Sequence, residues 1–184
     1  MDKLTTDGWR FTAAENDEYF PILHDCVATQ MEIAGRELRL FFPEGFRLLP
    51  NDPHNPYDTP LPTKAGLLVF TLFFEPDELF QPDDMVRMEV FHDHWLHPYR
   101  LFRRDLPLFT VSKKPTLTEM AERINSGKWK LAFNDKYKHY EMGYMYECIL
   151  YVSTRRYRRC RLEIDCRDAR YYWNDVSDEP ERQY

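Results

Sequence analysis

Apolar and charged residues alternate without a break over residues 160–166. This period of two is typical of a β-strand with one buried and one solvated face. Residues 147–152 before this segment and 169–173 after it are rich in the aliphatic and aromatic residues that strands favour. The three segments predict an antiparallel meander in the C-terminal part of the chain.

The N-terminal half carries further strand patterns. Residues 27–33 and 37–42 flank Ala34 and Gly35, and a glycine at this position suits a tight turn, so the two segments predict a hairpin. Residues 67–74 are apolar at both parities, which predicts a strand buried on both faces. Residues 85–91 return to alternation and predict a further strand.

A helical pattern with recognisable ends follows residue 115. Thr116 and Glu119 have the spacing of a T-x-x-E capping box at a helix N-terminus. Apolar residues then recur at helical spacing, at Leu117, Met120, Ala121 and Ile124. Gly127 stands where a helix C-terminus commonly has its glycine. The pattern predicts a helix over residues 117–126.

These elements predict the fold class and the number of domains. We expect an α+β fold that is mainly β, with one or more antiparallel sheets arranged as a sandwich or a half-barrel and with one well-defined helix. The 184 residues are enough for one domain with a sizeable core, and no Gly- or Ser-rich linker divides them. We therefore expect a single domain over residues 1–184, with a frayed tail at 177–184.

Composition excludes several classes of protein. Hydrophobic residues make up 43% of the chain and aromatic residues 16%, more than a disordered chain contains. The formal net charge of −6 makes nucleic acid an unfavoured partner. The first nine residues do not have the basic and apolar regions of a signal peptide. The longest apolar run, residues 67–74, is too short to span a membrane, so we expect no membrane association.

The four cysteines include no C-x-x-C pair. In a chain without an apparent signal peptide, this arrangement favours reduced thiols and a cytoplasmic location. Cys148, Cys160 and Cys166 each lie in phase with aliphatic neighbours, which predicts that they are small core residues.

A histidine-rich segment at residues 91–97 is a candidate metal site. If the strand that begins near residue 85 continues, His92 and His94 share one face and present two imidazoles side by side. Such an H-x-H pair can supply two nitrogen ligands to a divalent metal, and His24 is a candidate third ligand. The alternative is a hydrogen-bonded histidine pair at a strand end. No other cofactor is predicted.

An arginine-rich segment at residues 155–161 is a candidate binding site. Tyr157 lies among Arg155, Arg156, Arg158 and Arg159, between two predicted strands. Arginine forms bidentate hydrogen bonds to carboxylate and phosphate and stacks on aromatic rings, so a basic loop here suits an acidic protein or a nucleic acid. A solvated hairpin loop without a binding role is the plainer interpretation.

Other catalytic chemistry has little support in the sequence. The chain contains no G-x-S-x-G, no G-x-G-x-x-G and no phosphate-binding loop. The acidic residues of segments 75–78 and 83–84 depart from the spacing of a calcium-binding EF-hand and predict a solvated connection. We therefore expect a binding protein rather than an enzyme.

Three segments carry a resemblance to a known group of proteins: His24-Asp25-Cys26, the hairpin sequence at 38–46, and Tyr171-Tyr172-Trp173-Asn174. In these segments the chain resembles small uncharacterised bacterial proteins, some of them similar to immunity proteins of polymorphic toxin systems. The resemblance covers about a third of the chain, through strand and turn motifs. It implies a compact protein that binds by surface complementarity, and it implies no catalytic residue.

The leading hypothesis is a bacterial binding protein, immunity-like, that contacts another protein through Arg155, Arg156, Tyr157, Arg158 and Arg159. One alternative is a metal-dependent enzyme or metal-binding protein that uses His92 and His94, with His24 as a third ligand. A second alternative is nucleic-acid binding through the arginine-rich segment.

Overall fold

The computed structural model describes residues 4–73, 82–92, 110–138, 142–153 and 156–180. The protein is mainly β, as the sequence predicts. The helices are α1 (Pro82–Met85) and α2 (Leu117–Asn125). The strands are β1 (Phe11–Ala14), β2 (Val27–Ala28), β3 (Gln30–Ala34), β4 (Glu37–Phe42), β5 (Arg47–Leu48), β6 (Leu61–Pro62), β7 (Gly66–Leu72), β8 (Val86–His92), β9 (Thr110–Lys113), β10 (Lys130–Lys138), β11 (Gly143–Ser153) and β12 (Arg156–Trp173).

Most of these strands form one antiparallel sheet. Its main hydrogen-bonded path runs β2, β10, β11, β12, β7, β4, β3, while β5 and β6 pair separately. The ladders described do not close the sheet. The two ends of the path are nevertheless consecutive in the chain, because only Thr29 separates β2 from β3, and the Thr29 N–H donates to the carbonyl of Phe41 at 3.0 Å.

The sheet curves around a common core. Aromatic rings meet there, including one pair from strands that are far apart on the path: Phe42 of β4 lies 5.5 Å from Phe133 of β10, centroid to centroid. Phe133 also lies 5.1 Å from Tyr146 of the neighbouring strand β11. All three side chains are almost fully buried. Burial of large aromatic side chains contributes strongly to stability, so these contacts help to hold the two ends of the path together.

The 18-residue strand β12 organises the sheet. Its first half pairs with β11 on one side and β8 on the other, and its second half pairs with β7 and β1. The predicted meander is therefore wrong in one respect, because segments 160–166 and 169–173 belong to this single strand. An irregularity in the β7 ladder between Cys166 and Asp168 adds one residue to β12. Even-numbered residues face the core up to Cys166, and odd-numbered residues face it from Ala169 onward. In the sequence this break in the alternation looks like a turn between two strands.

Helix α2 confirms the predicted helix. Thr116 is its N-cap, and the Thr116 hydroxyl oxygen accepts the Glu119 N–H at 3.2 Å. At the other end the Gly127 N–H donates to the Ile124 carbonyl at 2.9 Å, with the positive φ of 70° that glycine adopts readily. Asn125 attaches the helix to β3, because its side-chain amide accepts the Met31 N–H and donates to the Met31 carbonyl, both at 2.8 Å.

The other predicted strands are also present. β3 and β4 form the predicted hairpin, β7 is buried along nearly its whole length, and β8 covers most of 85–91. In the predicted tail, the Ser177 N–H donates to the Pro62 carbonyl at 2.7 Å, and residues 181–184 lie outside the described ranges. Among the helices described, none has the length and apolar character needed to cross a membrane.

Candidate binding site at the end of the β11–β12 hairpin

The arginine-rich segment lies in a strand rather than in a loop. Arg156 is the first residue of β12, and the residues that follow are paired with β11 in the register Tyr157 to Tyr151, Arg158 to Leu150 and Arg159 to Ile149. The predicted loop is therefore shorter than residues 155–161. Arg155 lies outside the described residues.

Strand alternation divides these residues between two faces of the sheet. Arg158 shares the parity of Cys160 and Leu162, which are core residues, so its face is the inner one. Tyr157 and Arg159 share the outer face. The predicted loop did not assign these residues to different faces. In the strand, the two faces have different surroundings.

The outer face carries an exposed pair of tyrosines. Tyr151 and Tyr157 are directly opposite each other, with ring centroids 6.4 Å apart and planes inclined by 54°. They are 39% and 56% exposed, whereas most large hydrophobic residues described are buried. Lys130 of β10 is paired with Tyr151 and is exposed as well. We refer to Lys130, Tyr151, Tyr157 and Arg159 on this face, together with Arg156, the exposed first residue of β12, as the hairpin-end surface.

Beyond Arg159 the outer face is occupied by ion pairs. The Arg161 guanidinium lies 2.5 Å from the Glu89 carboxylate of β8, and Lys114 lies 2.7 Å from the other Glu89 oxygen. Lys114 and Arg161 lower the pKa of Glu89, and Glu89 in turn raises the pKa of Arg161. Arg161 is half-buried and holds this contact, so the exposed basic residues of the segment end at Arg159.

The inner face opens into a cavity of about 440 Å³ at the same end of the sheet. Its apolar lining comes from Val90, Trp129, Leu150 and Val152, and its basic lining from Lys113, Arg123, Lys128 and Arg158. We refer to this space as the basic cavity.

Register places most of its lining on four neighbouring strands: Leu150 of β11 faces Arg158 of β12, and Val90 of β8 faces Lys113 of β9. The rest of the lining comes from Arg123 in the last turn of α2 and from Lys128 and Trp129, which follow the helix.

Trp129 is held between the helix and the strands. Its backbone N–H donates to the Arg123 carbonyl at 3.0 Å, and the residue is 5% exposed to solvent. The guanidinium of Arg123 lies 4.9 Å from the ring centroid and the ammonium of Lys113 lies 5.8 Å from it. Glu119 pairs with both Lys113 and Arg123, and these partners lower the pKa of Glu119. The aromatic ring thus orders two of the four cations.

The basic cavity was missed by reasoning from the sequence. Lys113, Arg123, Lys128 and Trp129 lie 29 to 45 positions before Arg158, and the fold is needed to bring them together. One signal in the sequence could have indicated it: basic residues are concentrated on both flanks of the predicted helix, at 113–114 and 128–130.

The histidine prediction meets the structure only in part. The His24 Nδ1 lies 2.9 Å from the Asn134 carbonyl of β10, and its Nε2 lies 3.5 Å from Asp25. His92 ends β8, but its side chain and all of His94 lie outside the described residues. β11 and β12 lie between β10 and β8 in the sheet order, and a metal site of His24, His92 and His94 stays a prediction. In the described part of the chain no group of three or more metal-binding side chains converges.

Inside the fold, a buried carboxylate also escaped the sequence analysis. The Glu15 side chain is 3% exposed, and its carboxylate accepts the Tyr171 hydroxyl at 2.6 Å and pairs with Lys136. Burial raises the pKa of Tyr171 well above its ordinary value, so the phenol stays protonated and remains a donor. This cluster joins the ends of β1, β10 and β12 and lies within the fold, which assigns it a stabilising role.

The four cysteines are buried free thiols, as predicted from their positions. Cys148 of β11 faces Cys160 of β12, and the Cys160 thiol lies 3.6 Å from the Cys148 carbonyl. Burial raises the pKa of Cys148 and raises the pKa of Cys166 to about 12. Because the thiolate is the reactive form, a raised pKa disfavours Cys148 and Cys166 as nucleophiles.

Comparison with known proteins adds no family to this picture. No family model, no curated protein and no solved structure matches the chain.

Proposed function

We propose that the protein is a binding protein that contacts an acidic partner protein through the hairpin-end surface. The observation that carries this proposal is the exposed pair of Tyr151 and Tyr157, with the exposed Arg156 and Arg159 beside it. Tyrosine and arginine are enriched among the residues that contribute most to protein–protein affinity, because both combine a flat contact surface with hydrogen-bonding groups.

The charges favour an acidic partner. Arg156 and Arg159 are exposed cations within two positions of Tyr157, and the exposed Lys130 is paired with Tyr151, whereas the whole chain carries a formal charge of −6. A local positive patch on a negative protein attracts an acidic surface and repels a polyanion that extends beyond the patch. An acidic protein surface is therefore a better match than a nucleic acid, which remains an alternative outcome of the experiment below.

The surface is preorganised for binding. Its residues lie on β10, β11 and β12, which are paired along their lengths, so the backbone positions are fixed before a partner arrives. Tyrosine has few rotatable bonds, and the contact between the two rings restricts them further. Less conformational entropy is lost on binding than at a flexible loop, which favours affinity. Arg155 lies outside the described residues and Arg158 faces the basic cavity, so a role of either residue in partner binding stays a prediction from the sequence.

The immunity-like role implied by the sequence resemblance is part of this proposal. It makes a toxin domain with an acidic surface the expected partner, in a reducing cytoplasm where buried thiols such as Cys148 and Cys160 persist. Inhibition of that domain by steric cover would require no catalytic residue on this chain.

Charge reversal tests the proposal. The doubly substituted variant Arg156→Glu with Arg159→Glu is used as bait in affinity capture from lysate of the source cells, beside wild type and a control, Lys64→Glu with Arg170→Glu. The control changes the same charge at exposed positions remote from the hairpin end. We expect wild type and control to capture the same acidic protein and the hairpin variant to lose it, with unchanged melting temperatures.

Two results would contradict the proposal. One is capture of the same partners by all three proteins. The other is capture of nucleic acid, with binding that weakens steeply as salt is added and that is abolished by nuclease treatment. This result would favour the nucleic-acid alternative.

A further inference from the structure

We propose that the basic cavity is a binding site for a small organic anion, in which a phosphate or carboxylate group meets the cations and an attached apolar group lies against Trp129. This site goes beyond the proposed protein–protein contact. It lies on the inner face of the sheet, whereas Tyr157 and Tyr151 lie on the outer face.

The charge balance of the basic cavity is the first argument. Its described lining includes four basic side chains and no acidic one. Glu119, which lies beside it, is shared between Lys113 and Arg123. Within the described residues, neither Lys128 nor Arg158 has an ion-pair partner. Four positive charges against one negative charge leave an excess that an anion with two charges would reduce, and arginine is suited to bind phosphate or carboxylate through two parallel hydrogen bonds.

The shape and apolar lining are the second argument. A volume of about 440 Å³ lies within the range of small-molecule sites and is several times larger than inorganic phosphate needs. Val90, Trp129 and Leu150 are largely buried and Val152 is half-buried, and the surface that these four side chains leave accessible forms the apolar part of the lining. An anion that carries an aromatic or aliphatic group matches both parts of the cavity, whereas a free inorganic ion matches only the cations.

The third argument is preorganisation of the binding groups. Arg123 and Lys113 are held over the ring of Trp129 and by Glu119, so their positions are set before a ligand binds. Lys113, Arg158 and Leu150 are carried on paired strands. Fixed cations avoid part of the ordering cost that weakens binding by exposed lysines and arginines.

The test is titration of the purified full chain with phenyl phosphate, benzoate and inorganic phosphate, followed by NMR and calorimetry. The indole N–H signal of Trp129 is identified by its loss in Trp129→Phe. We expect saturable binding, with this signal shifted, and phenyl phosphate about tenfold tighter than inorganic phosphate because of the apolar lining. Tighter binding of phenyl phosphate than of benzoate identifies a phosphate ligand, and the reverse order identifies a carboxylate ligand.

Two variants separate the basic cavity from general surface charge. Lys128→Gln with Arg158→Gln should weaken phenyl phosphate binding by about tenfold or more, since each charge-assisted hydrogen bond contributes substantially. The control Lys64→Gln with Arg170→Gln should bind as wild type does. The proposal is overturned if none of the three anions saturates at millimolar concentration, or if both variants bind phenyl phosphate equally well. None of these results bears on capture of a protein by the hairpin-end surface.

Discussion

Arg158 lies directly opposite Leu150 in the β11–β12 ladder, on the face of β12 that carries the core residue Cys160 two pairs further along. The strand therefore passes from the hydrophobic core to a cationic cavity within two residues. The same alternation turns Tyr157 to the opposite face, where it meets Tyr151. One short stretch of β12 thus supplies two different surfaces.

The tyrosine pair should contribute to binding without contributing much to stability. Tyr157 is 56% exposed, so Tyr157→Ala should change the free energy of unfolding by no more than about 0.5 kcal/mol. The same substitution should cost about 2 kcal/mol of partner affinity, the size typical of an interface anchor. Urea denaturation and calorimetric titration measure the two quantities, and Tyr157→Phe serves as the conservative control. A loss of stability with unchanged affinity would assign Tyr157 to the fold instead.

The hydroxyl of Tyr171 should stabilise the fold. It donates to the buried Glu15 carboxylate at 2.6 Å, and Tyr171→Phe leaves that oxygen without its donor. We expect the free energy of unfolding to fall by about 1–3 kcal/mol, as for other buried acceptors that lose a partner. Urea denaturation measures it. Tyr157→Phe, which removes a hydroxyl from an exposed ring, should have almost no effect, and equal effects of the two substitutions would refute the role of the buried contact.

The capping hydroxyl of Thr116 should stabilise α2. Because it accepts the Glu119 N–H, Thr116→Ala should lower the free energy of unfolding by about 1 kcal/mol. Thr118 lies in the first turn of the same helix and is exposed, so Thr118→Ala is the matched control. The control should be neutral or slightly stabilising, since alanine favours the helix. Thermal and urea unfolding measure the stability of both variants. Equal stabilities of Thr116→Ala and Thr118→Ala would contradict a stabilising role of the Thr116 hydroxyl.

Stability should decrease in alkali through Cys166. Its pKa is raised from 9.0 to about 12 in the folded state, chiefly by burial, so the folded protein retains a proton that the unfolded chain releases. The stabilisation is fully present below pH 9 and is lost as the pH rises through about 12. Each such group lowers the free energy of unfolding by up to about 1.4 kcal/mol per pH unit in this range.

Urea denaturation between these pH values, with wild type and Cys166→Ala, measures the contribution of this thiol. In the variant, the free energy of unfolding should decrease less steeply with pH, by an amount that corresponds to the release of about one proton fewer on unfolding. Buried phenols such as Tyr146 keep part of the slope in both proteins, because burial raises the pKa of Tyr146 as well. An identical slope in the two proteins would show that Cys166 ionises at the same pH in both states.

Patterns within one segment were enough to predict most elements. Helix α2 has its cap, its apolar stripe and its terminal glycine within twelve residues, 116–127, and the structure confirms it. β7 is apolar at both parities and is buried between neighbours on both sides. Local chemistry decides such elements, so the sequence contains the information in readable form.

Relationships between segments were beyond the sequence. One additional residue near Arg167 changes the parity of β12, which made one strand look like two. Four of the five predicted partner-binding residues lie at the end of the hairpin, but which face each one occupies depends on the register with β11. The basic cavity needs β8, β9, β11, β12 and the end of α2 together, and no spacing in the sequence encodes that meeting.

Binding of an acidic protein by the hairpin-end surface is measured by the dissociation constant of the captured partner, determined by calorimetry. For Arg156→Glu with Arg159→Glu we predict an increase of about 100-fold, since like charges then face each other across the interface. For the control Lys64→Glu with Arg170→Glu we predict a change of no more than about threefold. Equal affinities of the two variants and wild type would contradict the account.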